Sequence, residues 1–359
     1  MAKGNTTMNL LIMTQKVDAS DPILGFFDRW IDAFAAHCPS VTVLCLEEGT
    51  HDLPSSVRVF SLGKEKKQSR LRYLLRFYRL IIRERSRYDA VFVHMNPEYV
   101  VLGGLLWRLW KKPVGLWYAH GHVPFSLRIA ERLASIIFTS TKSGCRVRSE
   151  KIRVVGQGID TSFFHLKENN ALHVPLSLVT VGRISEVKHL ETQIDAIAIL
   201  KEKGLSGMLH IIGGPLTEED RMYEKKIRER VKEKKLENDI FFLGPMTNRD
   251  IRSHLFSADL FLNSSATGSL DKAMLEAMAC GMPVFSCNDA MKEVFPEAYY
   301  PVLSFQKQNA SALAERIQGF LSLPEEKRQD MTQQLSAIVQ TRHGVERLAA
   351  GILLQYEKN

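Results

Sequence analysis

Five cysteines, at positions 38, 45, 145, 280 and 287, are too few and too scattered for a disulfide framework or a zinc ribbon. The number is odd and no Cys-x-x-Cys occurs. A reducing cytoplasm is the expected setting. Long apolar runs are also lacking. Crossing a bilayer takes about 20 apolar residues, and the longest greasy stretch, Val100–Trp110, is broken by Arg108. The apolar run at Leu10–Met13 falls short of a signal-peptide core. No segment is expected to span a membrane. No Asp-x-Asp pair occurs, so a divalent ion held by such a motif is not expected in the chemistry. Low-complexity tracts and repeats of 20–50 residues are missing as well, which excludes a solenoid.

What is present is the balance of an ordinary globular chain. Hydrophobic residues make up 45% and charged residues 25% of 359, enough to bury cores without staples. At roughly 150 residues per domain, two domains are expected. The charge is uneven. Residues 1–162 hold 24 Lys and Arg against 14 Asp and Glu, whereas the remainder holds 24 against 26. Such asymmetry points the first half at something anionic. Lys64–Asp89 alone has ten basic and three acidic residues, with Leu71, Leu74, Leu75, Tyr78, Ile81 and Ile82 at helical spacing. This reads as a basic amphipathic helix, either a domain helix with a solvated face or a membrane-surface element. No nucleic-acid motif accompanies the charge, so no nucleic-acid partner is expected.

Strand and helix patterns alternate along the chain. Leu10–Thr14, Val41–Leu46, Ala90–His94, Val114–Tyr118 and Ile136–Ser140 read as strands, with helices such as Leu24–Ala36 and Pro97–Trp110 between them. After residue 170 the pattern returns, with strands at Ser177–Val181, Met208–Gly213, Asp239–Leu243, Asp259–Asn263 and Pro283–Cys287. Helices are expected at about Glu191–Lys203, Glu218–Lys235, Asn248–Phe256 and Leu270–Cys280. Short apolar strands separated by helices make a parallel sheet covered on both faces. The fold class is therefore α/β, with two Rossmann-like, doubly wound domains. The boundaries are set at 1–162, joined by a last helix at about 343–359, and 163–342. Ligands of open α/β sheets bind beyond the carboxyl ends of the strands, so two facing sheets would place a site in the cleft between them.

Two segments of the second half carry the chemistry. VGRISEVKHL sets Arg183 just after a strand and Lys188 five residues later. Two cations at a strand end suit a pyrophosphate; a plain surface loop is the other reading. In ATGSLDKAMLEAMACGMPVFS, the turn at Thr267–Ser269 precedes a helix, whose first N–H groups, Ser269 to Asp271, can face a phosphate. Glu276 is an acid among apolar neighbours and needs a partner: a ribose diol or an internal salt bridge.

Taken together, these segments resemble the retaining GT-B glycosyltransferases of family 4 (group 1) over nearly the whole chain. VGQGIDTSFF resembles the family's Asn-Gly-Ile-Asp hinge, and VGRISEVKHL its Gly-Arg-x(4)-Lys donor loop. FFLGPMTNRDIRSHLFSADLFLNSS resembles the base-binding segment, and LEAMACGMPV the second half of the Glu-x(7)-Glu motif. The resemblance implies a GT-B fold and sugar transfer from a nucleotide-diphosphate sugar to an acceptor hydroxyl, with no separate cofactor. It implies that Arg183 and Lys188 hold the diphosphate and that Glu276 binds the ribose. It also places Gly244, Pro245 and Met246 at the base, Gly25 near the diphosphate and His120 at the donor sugar. His94 and His122 are acceptor-side candidates beside them, and the acceptor itself is a glycan or a lipid-linked molecule.

The sequence departs from the family in three places. Gly268 stands where the first motif glutamate is expected, so sugar recognition must differ, with Asp271 as a substitute or as helix N-terminal charge. Gln157 replaces the hinge asparagine, and Gly25 is followed by Phe26 and Phe27 where a second glycine is usual. Three other functions share some of these features: a GT-B-like sugar-nucleotide epimerase, a silent sugar-nucleotide binder, and a membrane-surface protein. A cytoplasmic enzyme resting on the inner face of the cell membrane is the expected localisation, with Trp107 and Trp110 as anchors beside the basic helix.

Overall fold

The computed structural model describes residues 6–168, 171–265 and 268–358, so Thr267 of the expected phosphate-facing turn lies outside it. The chain divides into two compact units, one of Met1–Asp160 with Arg342–Asn359 and one of Thr161–Thr341.

The first unit is a parallel sheet of seven strands: β1 (Leu10–Val17), β2 (Val41–Glu48), β3 (Val57–Ser61), β4 (Ala90–His94), β5 (Val114–Trp117), β6 (Ile136–Thr139) and β7 (Ile152–Val154). Their order is β3-β2-β1-β4-β5-β6-β7, and every pairing is parallel. Side chains alternate across a strand, and β1 shows the consequence. Leu10 and Ile12 enter a core on one face that is closed by α1 (Phe27–Ala35), while Leu11 and Met13 enter a core on the other. That second core is covered by α2 (Arg70–Arg83), α3 (Pro97–Leu109) and α4 (Phe125–Leu133).

The second unit repeats the winding with five parallel strands, β8 (Leu176–Val181), β9 (Gly207–Ile212), β10 (Ile240–Gly244), β11 (Leu260–Asn263) and β12 (Val284–Ser286), ordered β10-β9-β8-β11-β12. Around it lie α5 (Leu190–Glu202), α6 (Glu218–Glu233), α7 (Asn248–Ser257), α8 (Lys272–Ala279), α9 (Tyr300–Leu303), α10 (Ala310–Leu321) and α11 (Glu325–Arg342). A capping box opens α6: Thr217 Oγ1 accepts from the Asp220 N–H, and Asp220 returns the bond to the Thr217 N–H. The last helix, α12 (Val345–Glu357), belongs to the first unit, where it packs on α1 and donates from Tyr356 Oη to the Val91 carbonyl at 2.7 Å.

Three sequence expectations are corrected. Val57–Ser61 forms an edge strand that was not expected, because its five residues are mostly half-exposed and lack the apolar run of a central strand. The basic stretch Lys64–Asp89 is not one helix. A 3₁₀ turn at Lys64–Lys66 precedes α2, and another at Arg85–Arg87 follows it. Its buried face is Phe77, Leu80 and Ile81, leaving Leu71, Leu75 and Ile82 at 64%, 62% and 49% exposure. Trp107 is no surface anchor: it is fully buried, and its Nε1 donates to Tyr88 Oη at 3.1 Å.

Candidate functional site

In the second unit the strand order reverses between β8 and β11, the position where doubly wound sheets bind ligands. The loop leaving β8 carries Gly182, Arg183 and Lys188. Gly182 adopts φ 150°, and a Cβ there would meet Lys188 Cε at 3.3 Å and Nζ at 3.4 Å. Glycine thus lets the lysine lie back over the strand end. Its Nζ donates to Asp271 Oδ2 at 2.7 Å, and Asn263 Nδ2, from the end of β11, donates to the same oxygen at 2.8 Å. Below them Ser264 Oγ donates to the Lys188 carbonyl (2.6 Å) and accepts from buried Gln193 Nε2 (2.8 Å). Thr180, Gly182, Arg183, Lys188, Gln193, Asn263 and Ser264 line a single recess. Arg183 is half-exposed, with Nε 3.7 Å from Asp220 Oδ2. A pair that long and exposed is worth at most about 1 kcal/mol, so the guanidinium is loosely held.

Asp271 explains a further difference from expectation. Helix α8 starts at Lys272, and Asp271 is its N-cap residue without a side-chain cap bond, because its carboxylate is turned to Lys188 and Asn263. The N–H groups of Ser269 and Leu270 therefore precede the helix rather than open it. Gly268 is buried with φ 69°, and the Ser269 carbonyl accepts from Asn288 Nδ2 at 2.6 Å. Glu276, 3% exposed, is ion-paired one turn back to Lys272, the salt-bridge alternative of the sequence. Removing one member of a buried pair costs about 3–5 kcal/mol.

The segment Gly244–Met246 joins this site through the backbone. Gly244, at φ 77°, accepts from the Gly213 N–H at 2.8 Å, Gly182 donates to Ile212 O at 2.9 Å, and Ile184 to Gly214 O at 3.0 Å. The ends of β8, β9 and β10 are thereby tied side by side. Pro245 packs at Gly214, and Thr247 caps α7.

The remaining candidates lie in the first unit. Gly25 sits in the loop after β1, where a Cβ would come within 2.5 Å of the Asp21 carbonyl oxygen, so only glycine fits. His120 Nδ1 accepts from the His122 N–H at 3.0 Å; partial desolvation, helped by His122 and Arg146, lowers its pKa. The His122 carbonyl accepts from Tyr118 Oη at 2.8 Å. His94 is corrected as an acceptor-side group. It is 3% exposed inside a ring of Phe26, Phe27, Trp30 and Trp117, stacked on Phe27 at 4.2 Å, and burial pushes its pKa down to about 3. A neutral imidazole in an aromatic box is a core residue. Among the described residues no group of three or more His, Cys, Asp or Glu is arranged to hold a metal ion.

Asn263, Ser264, Gln193 and Lys272 were not singled out from sequence. The polar run Asn263–Ser265 at a strand end was a usable signal for the first two. Gln193 and Lys272 sit in ordinary helical positions, and nothing in the pattern marks them.

Two Rossmann-like, doubly wound units of this kind define the GT-B fold. Residues 164–336 match the family described as Glycosyl transferases group 1. The "Putative colanic acid biosynthesis glycosyltransferase WcaL" of Escherichia coli is 31% identical over 189 residues, 51% of this chain and 44% of that one. The amylovoran biosynthesis glycosyltransferase AmsK of Erwinia amylovora is 35% identical over 145 residues, 38% of this chain and 34% of that one. The chain thus spans less than half the length of these curated relatives. The Anabaena Alr3699/HepE crystal structure, in complex with UDP, superposes with a TM-score of 0.76 at 19% identity, covering 98% of this chain and 100% of that one.

Proposed function

We propose that the protein transfers a sugar from a nucleotide-diphosphate sugar to an acceptor hydroxyl with retention of configuration, in the assembly of a polysaccharide or glycolipid. The observation that carries this reading is the convergence of Arg183, Lys188, Asp271 and Asn263 at the carboxyl ends of β8 and β11. The donor diphosphate takes Lys188 in exchange for Asp271 and draws in the loosely held Arg183. As the bond from the anomeric carbon to the phosphate oxygen breaks, both cations neutralise the charge that develops there. The acceptor oxygen bonds to the same face of that carbon, and its proton passes to the departing phosphate. No side-chain nucleophile and no divalent ion are assigned a role. The names of the two curated relatives, from colanic acid and amylovoran biosynthesis, favour an exopolysaccharide product.

The test is transfer itself. Purified protein is incubated with UDP- and GDP-sugars and glycan or lipid-linked acceptors, and the product linkage is read by NMR. An α-product from an α-linked donor is expected; an inverted product overturns retention.

A silent binder is the second reading, favoured by Gly268 in place of the motif glutamate and by the Lys188–Asp271 pair. It predicts nucleotide binding without transfer or hydrolysis.

The first unit suits a peripheral membrane position. Leu71, Leu75 and Ile82 on α2 and Leu105 and Leu109 on α3 are exposed among Arg72, Arg79, Arg83 and Arg108. Tyr78 Oη to Leu102 O (3.1 Å) holds these two helices together. No described helix is long and apolar enough to cross a membrane. Each basic residue near an anionic leaflet contributes about 1 kcal/mol, so four suffice to localise the chain.

A further inference from the structure

The first unit contains a recess distinct from Gly25, His120 and His122. It lies at the C-terminal parts of β1 and β2, between α2 and α3, with a volume of about 410 Å³. That falls in the range of roughly 300–1,000 Å³ typical of small-ligand sites. Its walls are mostly apolar, with Leu46 from β2, Leu62 just after β3, Leu74 and Phe77 from α2 and Leu102 from α3, while Gln15, Tyr73 and Asn96 add polar groups. Phe77 and Tyr99 are buried and stacked, with ring centroids 6.0 Å apart, and Trp107 backs Phe77 at 6.1 Å. The apolar part of this wall is suited to a hydrocarbon.

The rim has the opposite character. Arg70, at the first position of α2, lines the mouth. Between Leu62, in the wall, and Arg70 lie Lys66 and Lys67. Among the described residues none of these three cations has a carboxylate within ion-pair distance, whereas neighbouring Lys64 is paired to Glu47 at 3.1 Å. Glu98, the one acid at the rim, accepts from Ser126 Oγ at 2.9 Å. The N-terminus of α2 adds its partial positive charge at the same place. Leu71 and Leu75 extend the apolar surface outward along α2.

We propose that this recess takes the hydrocarbon chain of a single-chain phosphate amphiphile, with the phosphate held by Arg70 and the neighbouring lysines. The proposal rests on the transferase reading, for which such a molecule is the acceptor or its lipid anchor. A largely apolar recess with Arg70 at its mouth, and Lys66 and Lys67 a few residues before it in the chain, matches an apolar chain with an anionic head in both parts.

The experiment titrates the full chain by calorimetry with farnesyl phosphate below its micellar concentration, with farnesol, and with inorganic phosphate. A nucleoside diphosphate titration runs in parallel. Farnesyl phosphate is expected to bind at least tenfold more tightly than farnesol, and inorganic phosphate not measurably. Leu74→Trp, which fills the recess, should abolish farnesyl phosphate binding. Arg70→Glu, at an exposed position where folding is not at risk, should bring farnesyl phosphate and farnesol within twofold of each other. Both variants should keep nucleoside diphosphate binding. Equal farnesyl phosphate binding by wild type and Leu74→Trp would overturn the proposal, since it marks adsorption to the outer leucines. So would an absence of farnesyl phosphate binding by a chain that binds nucleoside diphosphate. Failure of wild type to bind nucleoside diphosphate strikes the transferase reading alone and leaves the farnesyl phosphate titration to decide the recess.

Discussion

The two units share one winding, strand order 3-2-1-4-5 at the core of each sheet, yet they invest their residues differently. The second places charge at its switch point, in Arg183, Lys188 and Asp271, with Asn263 beside them, held by hydrogen bonds of 2.6–2.8 Å among Lys188 and its neighbours. The first places aromatic rings at the end of β4, enclosing His94, and distributes cations and exposed leucines over α2 and α3. One fold therefore carries a built ionic site in one copy and an amphipathic surface in the other. A fold of this kind sets where a site lies, and the side chains at the strand ends set what it does.

The largest expected effect tests the ionic site. Lys188→Ala and Arg183→Ala should each lower kcat about 100-fold or more, the scale of losing one preorganised charge donor. Assaying sugar transfer beside the thermal melt separates this from misfolding, and near-normal turnover removes the comparison's premise.

Acid should then break the first unit before the second. Burial holds His94 at a pKa of about 3 and His343 at about 4, below the ordinary 6.5, and both lie in the first unit. A depressed histidine pKa means the unfolded chain binds the proton more tightly. Stability is therefore full above pH 6.5 and falls, for His94, as pH drops toward 3, at up to about 1.4 kcal/mol per unit. All four tryptophans, Trp30, Trp107, Trp110 and Trp117, also lie in the first unit, so their fluorescence reports on it selectively. His94→Phe should move the fluorescence midpoint to lower pH.

A smaller effect sharpens the role of Asp271. Asp271→Asn frees Lys188 and removes a negative charge from the proposed donor site, so nucleoside diphosphate should bind roughly tenfold more tightly, or about 1.4 kcal/mol. Tighter binding accompanied by lost transfer would give the carboxylate a second task at the sugar. Smallest in stability is the double change of Leu71→Ser and Leu75→Ser. It should shift unfolding by less than about 0.5 kcal/mol, yet reduce co-sedimentation with anionic vesicles at low salt.

Much of this was legible from particular residues. The central strands announce themselves at Leu10–Thr14 and Ser177–Val181 because most of these positions are buried on both faces, whereas the extension of β1 through exposed Gln15 and half-buried Lys16 to Val17 carries no apolar run. Arg183 and Lys188 were legible because loop and cation spacing are local. Asp271 reaching Lys188 was not, since 83 residues separate them and no periodicity encodes the pairing. His94 and His120 look alike in sequence, each at or just past a strand end. They differ only because Phe26, Phe27 and Trp30 close over the first. The face of α2 was misassigned for the same reason: Phe77 and Leu80 are drawn inward by the aromatic core of α3, which sequence periodicity does not see.

The central claim is that the second unit binds a nucleoside diphosphate through Lys188 at the ends of β8 and β11. Calorimetric titration of UDP and GDP into wild type and Lys188→Ala tests it most directly, with the thermal melt followed by circular dichroism confirming that the variant stays folded. The account predicts saturable binding of at least one nucleotide by wild type and a loss of tenfold or more in affinity in the variant. Equal affinity in the two proteins would contradict it.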